Sequence, residues 1–296
     1  MSVRQTIEQV KAGKLDPADV LKTVVATGGA LSLLLVLMFP VYWIFTTSLS
    51  QGAGLMSSEG VFADPSTYNL DAYRWVIYES SFTDALVNSL IVVTVTVTVS
   101  MAMVIPGAYA LSRRQFAGRS KILYGYVLFT QVGAGLSIAT LIALYALFSN
   151  LGLSNSLVTL GLFYAASAIP FNTWLLKTFM DNIPVSYEEA ALIDGASRWD
   201  VIREVILPLS KPGIAVVLIF TFLAGWNEFI VAQRLLRPEN YTLSVELYAL
   251  ATSGQYETPW TEFAAFAIMF ALPVAIIYFA AQNYVESGLS FGGMEG

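Results

Sequence analysis

Charged residues punctuate this chain so sparsely that the gaps between them define its elements. A helix crossing a hydrocarbon core of ~30 Å needs about 20 mostly apolar residues. No charge falls between Lys22 and Glu59, which predicts a first span over 24–49. Asp84 and Arg113 bracket a second. The uncharged run over 122–174 is too long for one helix, and the turn formers of NLGLSNS, residues 150–156, divide it into a hairpin of two. A fifth span covers 212–236 with Glu228 inside it, and a sixth covers 263–285. The pattern therefore predicts an all-α integral membrane protein with six transmembrane helices.

Within the second span, VVTVTVTVS (residues 92–100) alternates valine with hydroxyl residues at period 2, as a half-buried strand does. Length argues against a strand, because a membrane strand needs only about 9–11 residues and, if isolated in lipid, leaves its backbone unpaired. A helix bent near Pro106-Gly107 is expected, with the small Thr and Ser residues serving helix packing.

One segment breaks the apolar pattern: SYEEAALIDGASRWDVIREVILPL, residues 186–209, is dense in charge between two apolar runs. Ser186 to Glu189 fits a capping box that opens a helix, and Gly195 is suited to end it in a left-handed conformation. Ser197 to Asp200 repeats the box and opens a second helix that Pro208 and Pro212 close. In that helix Trp199, Ile202, Val205, Ile206 and Leu209 share one face. Such a pair could simply lie on the membrane. Ala190 and Ala191, set beside glutamates, instead form a low-relief surface suited to a groove of another protein. The closing Leu207-Pro208 leads straight into the fifth span, so force on the segment would reach a transmembrane helix.

Composition narrows the chemistry. The chain is 56% hydrophobic and 12% charged, with a mean hydropathy of +0.65, which no soluble surface tolerates. With neither cysteine nor histidine, it lacks thiolate chemistry and the commonest general base and metal ligand. No phosphate-binding loop occurs; Gly13-Lys14 lacks both the upstream glycine and the hydroxyl residue. No catalytic residue, metal site or cofactor of the chain's own is expected, and any ATP acts through a partner. An intramembrane enzyme is disfavoured for the same reasons.

Charge sets the orientation. Arg4, Lys11, Lys14, Lys22, Arg113, Arg114, Arg119, Lys121, Lys177, Arg198, Arg203 and Lys211 fall on one side, twelve of the fifteen basic residues. Cytoplasmic loops are enriched in Lys and Arg, so both termini are expected in the cytoplasm. The acidity behind the pI of 4.7 then belongs to the outer face and suggests no nucleic acid partner. The first apolar run continues through Phe39, Pro40, Tyr42 and Trp43, too long for a cleaved signal peptide, so it reads as an uncleaved span. The polar residues 1–23 fit an amphipathic helix on the membrane surface.

Glu189-Ala190-Ala191, Gly195 four residues on and Val205-Ile206-Leu207-Pro208 resemble the EAA loop of ABC importer permeases, with valine where isoleucine is usual. Ala108 to Arg113, Gly225 to Phe229 and the tail GLSFGGMEG resemble the MalG-type permeases of carbohydrate importers, and the likeness covers about residues 84–296. That resemblance implies a type I ABC importer permease in the cell membrane. Its partners would be a second, MalF-like permease, two MalK-like ATPases that bind ATP and Mg, and an extracytoplasmic solute-binding protein. Residues 1–23 would be a cytoplasmic segment, 24–49 the first span, 50–83 an extracytoplasmic loop, 84–285 the transmembrane core and 286–296 a cytoplasmic tail. Glu189 would make the polar contact to the ATPase, Ala190 and Ala191 the close packing, Gly195 the turn, and Leu207-Pro208 the rigid junction.

Trp226, Asn227 and Glu228 are candidates for the pathway or its gate, since an intramembrane acid is a functional-site hypothesis by default. Glu228 lies 16 residues past Pro212, or ~24 Å along a helix, in the outer part of the bilayer. That favours gating or structural partnering over sugar contact. Ser253, Gly254, Gln255 and Tyr256 are candidates for contact with the binding protein, and Gly292 and Gly293 for contact between tail and ATPase. The expected cargo is maltose, a malto-oligosaccharide or a related sugar. Two alternatives remain: a stand-alone secondary transporter or channel, and an ABC permease for a non-sugar solute. Inverted repeats and unwound midplane sites would favour the first, and neither is visible in the sequence.

Overall fold

The computed structural model describes residues 17–50, 66, 68–133, 138–252 and 259–290. Among them there is no strand; the chain is a bundle of helices. In chain order these are α1 (Pro17–Leu49), α2 (Asp71–Tyr78), α3 (Phe82–Arg113), α4 (Arg119–Gly133), α5 (Ile138–Asn150) and α6 (Leu157–Asp181). Then come α7 (Ser186–Ile193), α8 (Arg198–Asp200), a π turn (Val201–Ile206), α9 (Leu207–Leu209) and α10 (Lys211–Trp226). The last described elements are α11 (Ile230–Leu235), a 3-10 turn (Pro238–Asn240), α12 (Leu243–Thr252) and α13 (Trp260–Ser290).

Among the described residues, four helical stretches are long and apolar enough to cross a membrane: Leu21–Leu49, Phe82–Arg113, Lys211–Leu235 and Trp260–Gln282. They correspond to the first, second, fifth and sixth predicted spans. The predicted hairpin differs in detail. Its first arm is two shorter helices, α4 and α5, and its second is α6, which buries the polar Asn172 and Thr173. The turn between the arms falls where NLGLSNS predicts it. Gly152 and Asn155 take left-handed conformations there, at φ 67° and 58°, the region open to glycine and tolerated by asparagine. Asn155 then fixes the turn to the end of α11: its N–H donates to the Leu235 carbonyl at 2.8 Å, and its side-chain oxygen accepts from Arg237 N–H at 2.8 Å.

The frame is the trio α3, α6 and α10, with α3 and α6 in the most extensive contact; α13 packs on α10, and α1 on α13. Val92, Thr96, Ser100, Val104 and Ala108 of α3 are buried at intervals of four, which settles the VTVTVTV stretch as helix. Its hydroxyls bind helices together as expected. Thr96 Oγ1 donates to its own Val92 carbonyl at 2.8 Å and across the interface to Gly161 at 3.2 Å. Ser100 Oγ reaches the Ala165 carbonyl at 3.4 Å. Glycine makes this approach possible: a Cβ on Gly161 would lie 2.8 Å from Val95 Cβ and 2.9 Å from the Val92 carbonyl. In membranes such close backbone contact replaces the hydrophobic drive that lipid removes.

Among the described residues, three apolar clusters lie along this frame. Phe82, Phe222, Trp226 and Phe266 centre one, and Val92, Leu160, Tyr164 and Val231 a second. The third, at the end that carries α7, joins Val104, Ala108, Leu176 and Met180 to Val201 and Ile206 of the polar segment. The segment is thus built into the bundle rather than appended to it.

Candidate functional site

The segment over 186–209 folds as helix, glycine turn and helix, but its first boundary is made differently from the expected capping box. Val185 already has helical angles, φ −62° and ψ −25°, so Ser186 lies in the first turn and no side chain caps the helix. An N-cap needs extended backbone for its side chain to reach forward, and the chain leaving Pro184 does not provide it. The other end forms as expected. Gly195 stands at φ +93°, its N–H donates to Leu192 at 3.2 Å, and Ala196 N–H donates to Ala191 at 3.0 Å. These are the two bonds of a Schellman close.

Ser197 and Asp200 form the complete capping box: Asp200 N–H donates to Ser197 Oγ at 3.3 Å and Ser197 N–H to Asp200 Oδ2 at 3.0 Å. The Ser197 hydroxyl and backbone N–H hold the exposed Asp200 carboxyl below its ordinary pKa. A depressed carboxylate stabilises the fold above its unfolded pKa and loses that contribution as pH falls through the folded value. The amide protons of α8 should therefore exchange faster as pH drops below the usual aspartate range, after correction for intrinsic rates, and Ser197→Ala should weaken that dependence without abolishing it, because the backbone N–H still donates to Asp200.

Beyond the box the predicted apolar face is corrected. The π turn brings Val201 and Ile206, five residues apart, onto one buried side, whereas Trp199 is 67% exposed and Leu209 46%. Nor does Pro208 close the helix. It sits inside α9, and Ser210 N–H to Ile206 (2.8 Å) and Ile214 N–H to Ser210 (2.9 Å) carry a helical path into α10. The junction is therefore more continuous than proline positions imply.

What remains exposed is a compact face: Tyr187, Glu189, Ala190, Leu192, Ile193 at 86% and, across the turn, Trp199. Ala191 is half-buried against the third cluster, Leu207 is half-buried and Pro208 exposed. The residue that sequence reasoning missed is Glu188. It is buried, ion-paired with Arg113 at the end of α3, and within 3.5 Å of the Tyr109 hydroxyl. Adjacent helical residues point about 100° apart, so the two glutamates need not share a surface, and one can turn inward while the other faces out. That geometry, with a basic residue closing span two, was the available signal.

Trp226, Asn227 and Glu228 mark a break between α10 and α11 rather than points on one straight helix. Trp226 is a core residue, 1% exposed, stacked between Phe222 and Phe270, with its indole N–H donating to the Phe270 carbonyl at 3.1 Å. Asn227 is exposed. Glu228 turns back onto the bundle: it accepts from Val231 N–H at 2.9 Å and Ala232 N–H at 3.4 Å, and from the Tyr164 hydroxyl. The Ser244 hydroxyl donates to the Glu228 carbonyl at 2.9 Å. The Glu228 carboxylate thus occupies the amides that open α11 and ties the break to α6, while its backbone carbonyl ties it to α12. Ser253, Gly254, Gln255, Tyr256, Gly292 and Gly293 lie outside the described residues.

Residues 77–291 match the family of binding-protein-dependent transport system inner membrane components. The chain belongs to that family. It is 35% identical over 265 residues to the galactooligosaccharides transport system permease protein GanQ of Bacillus subtilis, covering 88% of this chain and 91% of the relative. It is 36% identical over 214 residues to the maltose/maltodextrin transport system permease protein MalG of Escherichia coli, covering 71% and 72%. The fold matches a chain of a bacterial ABC transporter involved in the import of the acidic polysaccharide alginate, with a TM-score of 0.78, 25% identity, and coverage of 92% of this chain and 99% of that one. The matched region contains the whole polar segment and the break at Glu228. Both lie in the region that matches the family, and the chain is an inner membrane component of a binding-protein-dependent transport system, as its permease relatives are.

Proposed function

We propose that this permease forms half of the translocation pathway of an ATP-driven importer for an oligosaccharide and couples to a separate ATPase through residues 186–209. The observation that carries the reading is the exposed face around Glu189, Ala190 and Ile193, presented by a glycine at φ +93° and rooted in the bundle core. An apolar face with an acid at its edge, held rigidly at the bundle end, suits a groove in another protein. The sugar class is supported by the relatives, which are named for galactooligosaccharide and maltodextrin transport.

In this reading the chain crosses the membrane six times with both termini in the cytoplasm, the α4–α5 unit and α6 supplying the third and fourth crossings. Residues 1–23 are the cytoplasmic lead, 24–49 the first span, 50–83 an outer loop, 84–285 the core and 286–296 the tail. A second permease, two ATPases carrying ATP and Mg, and an outer solute-binding protein complete the machine. Closure of the ATPase pair draws the two seated helices together, and Leu207-Pro208 passes the movement into α10. The ATPase favours one permease state only by its differential affinity for the two. Ser253 to Tyr256 would meet the binding protein, and Gly292-Gly293 the ATPase.

The test is co-purification followed by uptake. A tagged chain should extract with a second permease and an ATPase, and the reconstituted set with its binding protein should take up labelled maltotriose or galactooligosaccharide only with ATP. A chain that extracts alone and transports without ATP would be a stand-alone carrier. Glu228→Gln keeps the acceptor oxygen for Val231 but loses the charge at α11, which is worth about 0.3–1 kcal/mol or somewhat more when partly buried. Uptake should slow a few-fold with the order of sugar preference unchanged. A reordered preference would move Glu228 into the sugar path.

A further inference from the structure

We propose that Arg113 and Glu188 form a clamp that carries displacement of the coupling helix α7 into α3, a second route beside the Leu207-Pro208 junction into α10. The inference rests on the coupling role proposed for residues 186–209. The chain path from α7 to α10 runs through the Gly195 turn, the capping box and the π turn. The contact from α7 to α3 is direct. The Arg113 guanidinium pairs with the Glu188 carboxylate through Nε and donates through Nη2 to the Ile183 carbonyl at 2.8 Å. It therefore grips both α7 and the segment that leads into it.

Both charged side chains are only 10% exposed, and the Tyr109 hydroxyl approaches the second carboxylate oxygen at 3.5 Å. The neighbouring Ser112 hydroxyl donates to Asp181 at 2.6 Å, and Lys177 pairs with the same carboxylate, so the end of α6 joins the assembly. A planar guanidinium held at two points resists rotation in a way an ammonium or an apolar contact does not. Because α3 packs along α6 and α10, a push on α7 is delivered to the frame of the bundle and not to α10 alone. Arg113 and Glu188 are positioning residues. They act through α7, and neither lies on its exposed face.

The experiment uses the complete transporter in proteoliposomes, with maltotriose as the probe and ATP hydrolysed per sugar transported as the first readout. Glu188→Gln preserves shape and removes the charge; Arg113→Lys preserves charge and removes the fork. Both should assemble with the ATPase and hydrolyse ATP while transport per ATP falls about tenfold, within the usual range of a site-to-site coupling. The exchange Arg113→Glu with Glu188→Arg should recover part of it. The second readout does not depend on the sugar. The chain has no cysteine, so spin labels at Ser186→Cys and Gln115→Cys report the separation of α7 from the segment two residues past the end of α3. That distance should be single and unchanged between nucleotide-free and ATP states, and should broaden in Glu188→Gln.

Unchanged transport per ATP in both single variants, or an unbroadened distance, would overturn the clamp. If both single variants fail to assemble, and the exchange restores assembly without restoring coupling, the pair serves folding alone and the proposal fails. Glu189→Lys separates the two readings. If it uncouples while the pair variants do not, only the clamp is wrong; if it has no effect, the coupling role of the whole segment is wrong.

Discussion

Reversal of a single exposed charge, Glu189→Lys, should lower ATP-driven uptake about a hundredfold while the protein inserts and folds at its normal level. The side chain stands on the outward face of α7, away from the Arg113 pair that holds its neighbour. Substitutions at such positions usually change stability by no more than about 0.5 kcal/mol. At a seated interface, by contrast, truncating a hydrogen-bonded charge costs about 2–5 kcal/mol, and a cation in its place is worse. About 2.7 kcal/mol corresponds to two decades. Gly195→Val should act on the same step by geometry. At φ +93° any side chain is strained, by about 1–3 kcal/mol, and a β-branched one most. Aspartate would be a gentler probe there, because short polar side chains tolerate the left-handed region. Uptake, membrane level and ATPase recovered on a tagged permease are measured together. Wild-type uptake by Glu189→Lys with its ATPase bound would remove the coupling role from this segment.

The parts of this molecule that were legible in the sequence are those fixed by local chemistry. Gly195 must be glycine because the chain turns left-handed there, and Ser197 with Asp200 satisfies the orphan amides of the next helix, so both could be read from residue type and spacing. Span ends follow from charge for the same reason: the cost of burying it is local. What could not be read depends on packing across the bundle. The Ser186 box fails because the chain leaving Ile183 and Pro184 is already helical, with Arg113 gripping the Ile183 carbonyl. Trp199 looks like a core residue until the π turn moves the buried side to Val201 and Ile206. Glu228 looks like a lone acid in a helix until Tyr164, 64 residues earlier in the chain, is found beside it. No periodicity announces that contact, because it pairs α6 with a break in the fifth span.

The same dependence on packing makes Gly161 the most sensitive position in the frame. Gly161→Leu should abolish uptake and lower the unfolding midpoint in detergent, because the interface has backbone on one wall. The first added carbon would meet Val95 Cβ at 2.8 Å and the Val92 carbonyl at 2.9 Å. A flexible side-chain tip could swing aside; a carbonyl inside α3 cannot move without moving the helix. Separating α3 from α6 also breaks the bonds from Thr96 to Gly161 and from Ser100 to Ala165. Overpacking alone typically costs about 1–3 kcal/mol, and each hydrogen bond lost adds about 1 kcal/mol. Gly107→Ala is the control on the same helix pair, since its added carbon would meet only the Thr173 side chain, at an ordinary 3.5 Å or more. It should unfold and transport as the wild type does. If Gly161→Leu matched that control, α3 and α6 would not approach as closely as described. Val95→Gly added to Gly161→Ala should recover part of the loss and not all of it, because the Val92 carbonyl remains at 2.9 Å after the valine is gone.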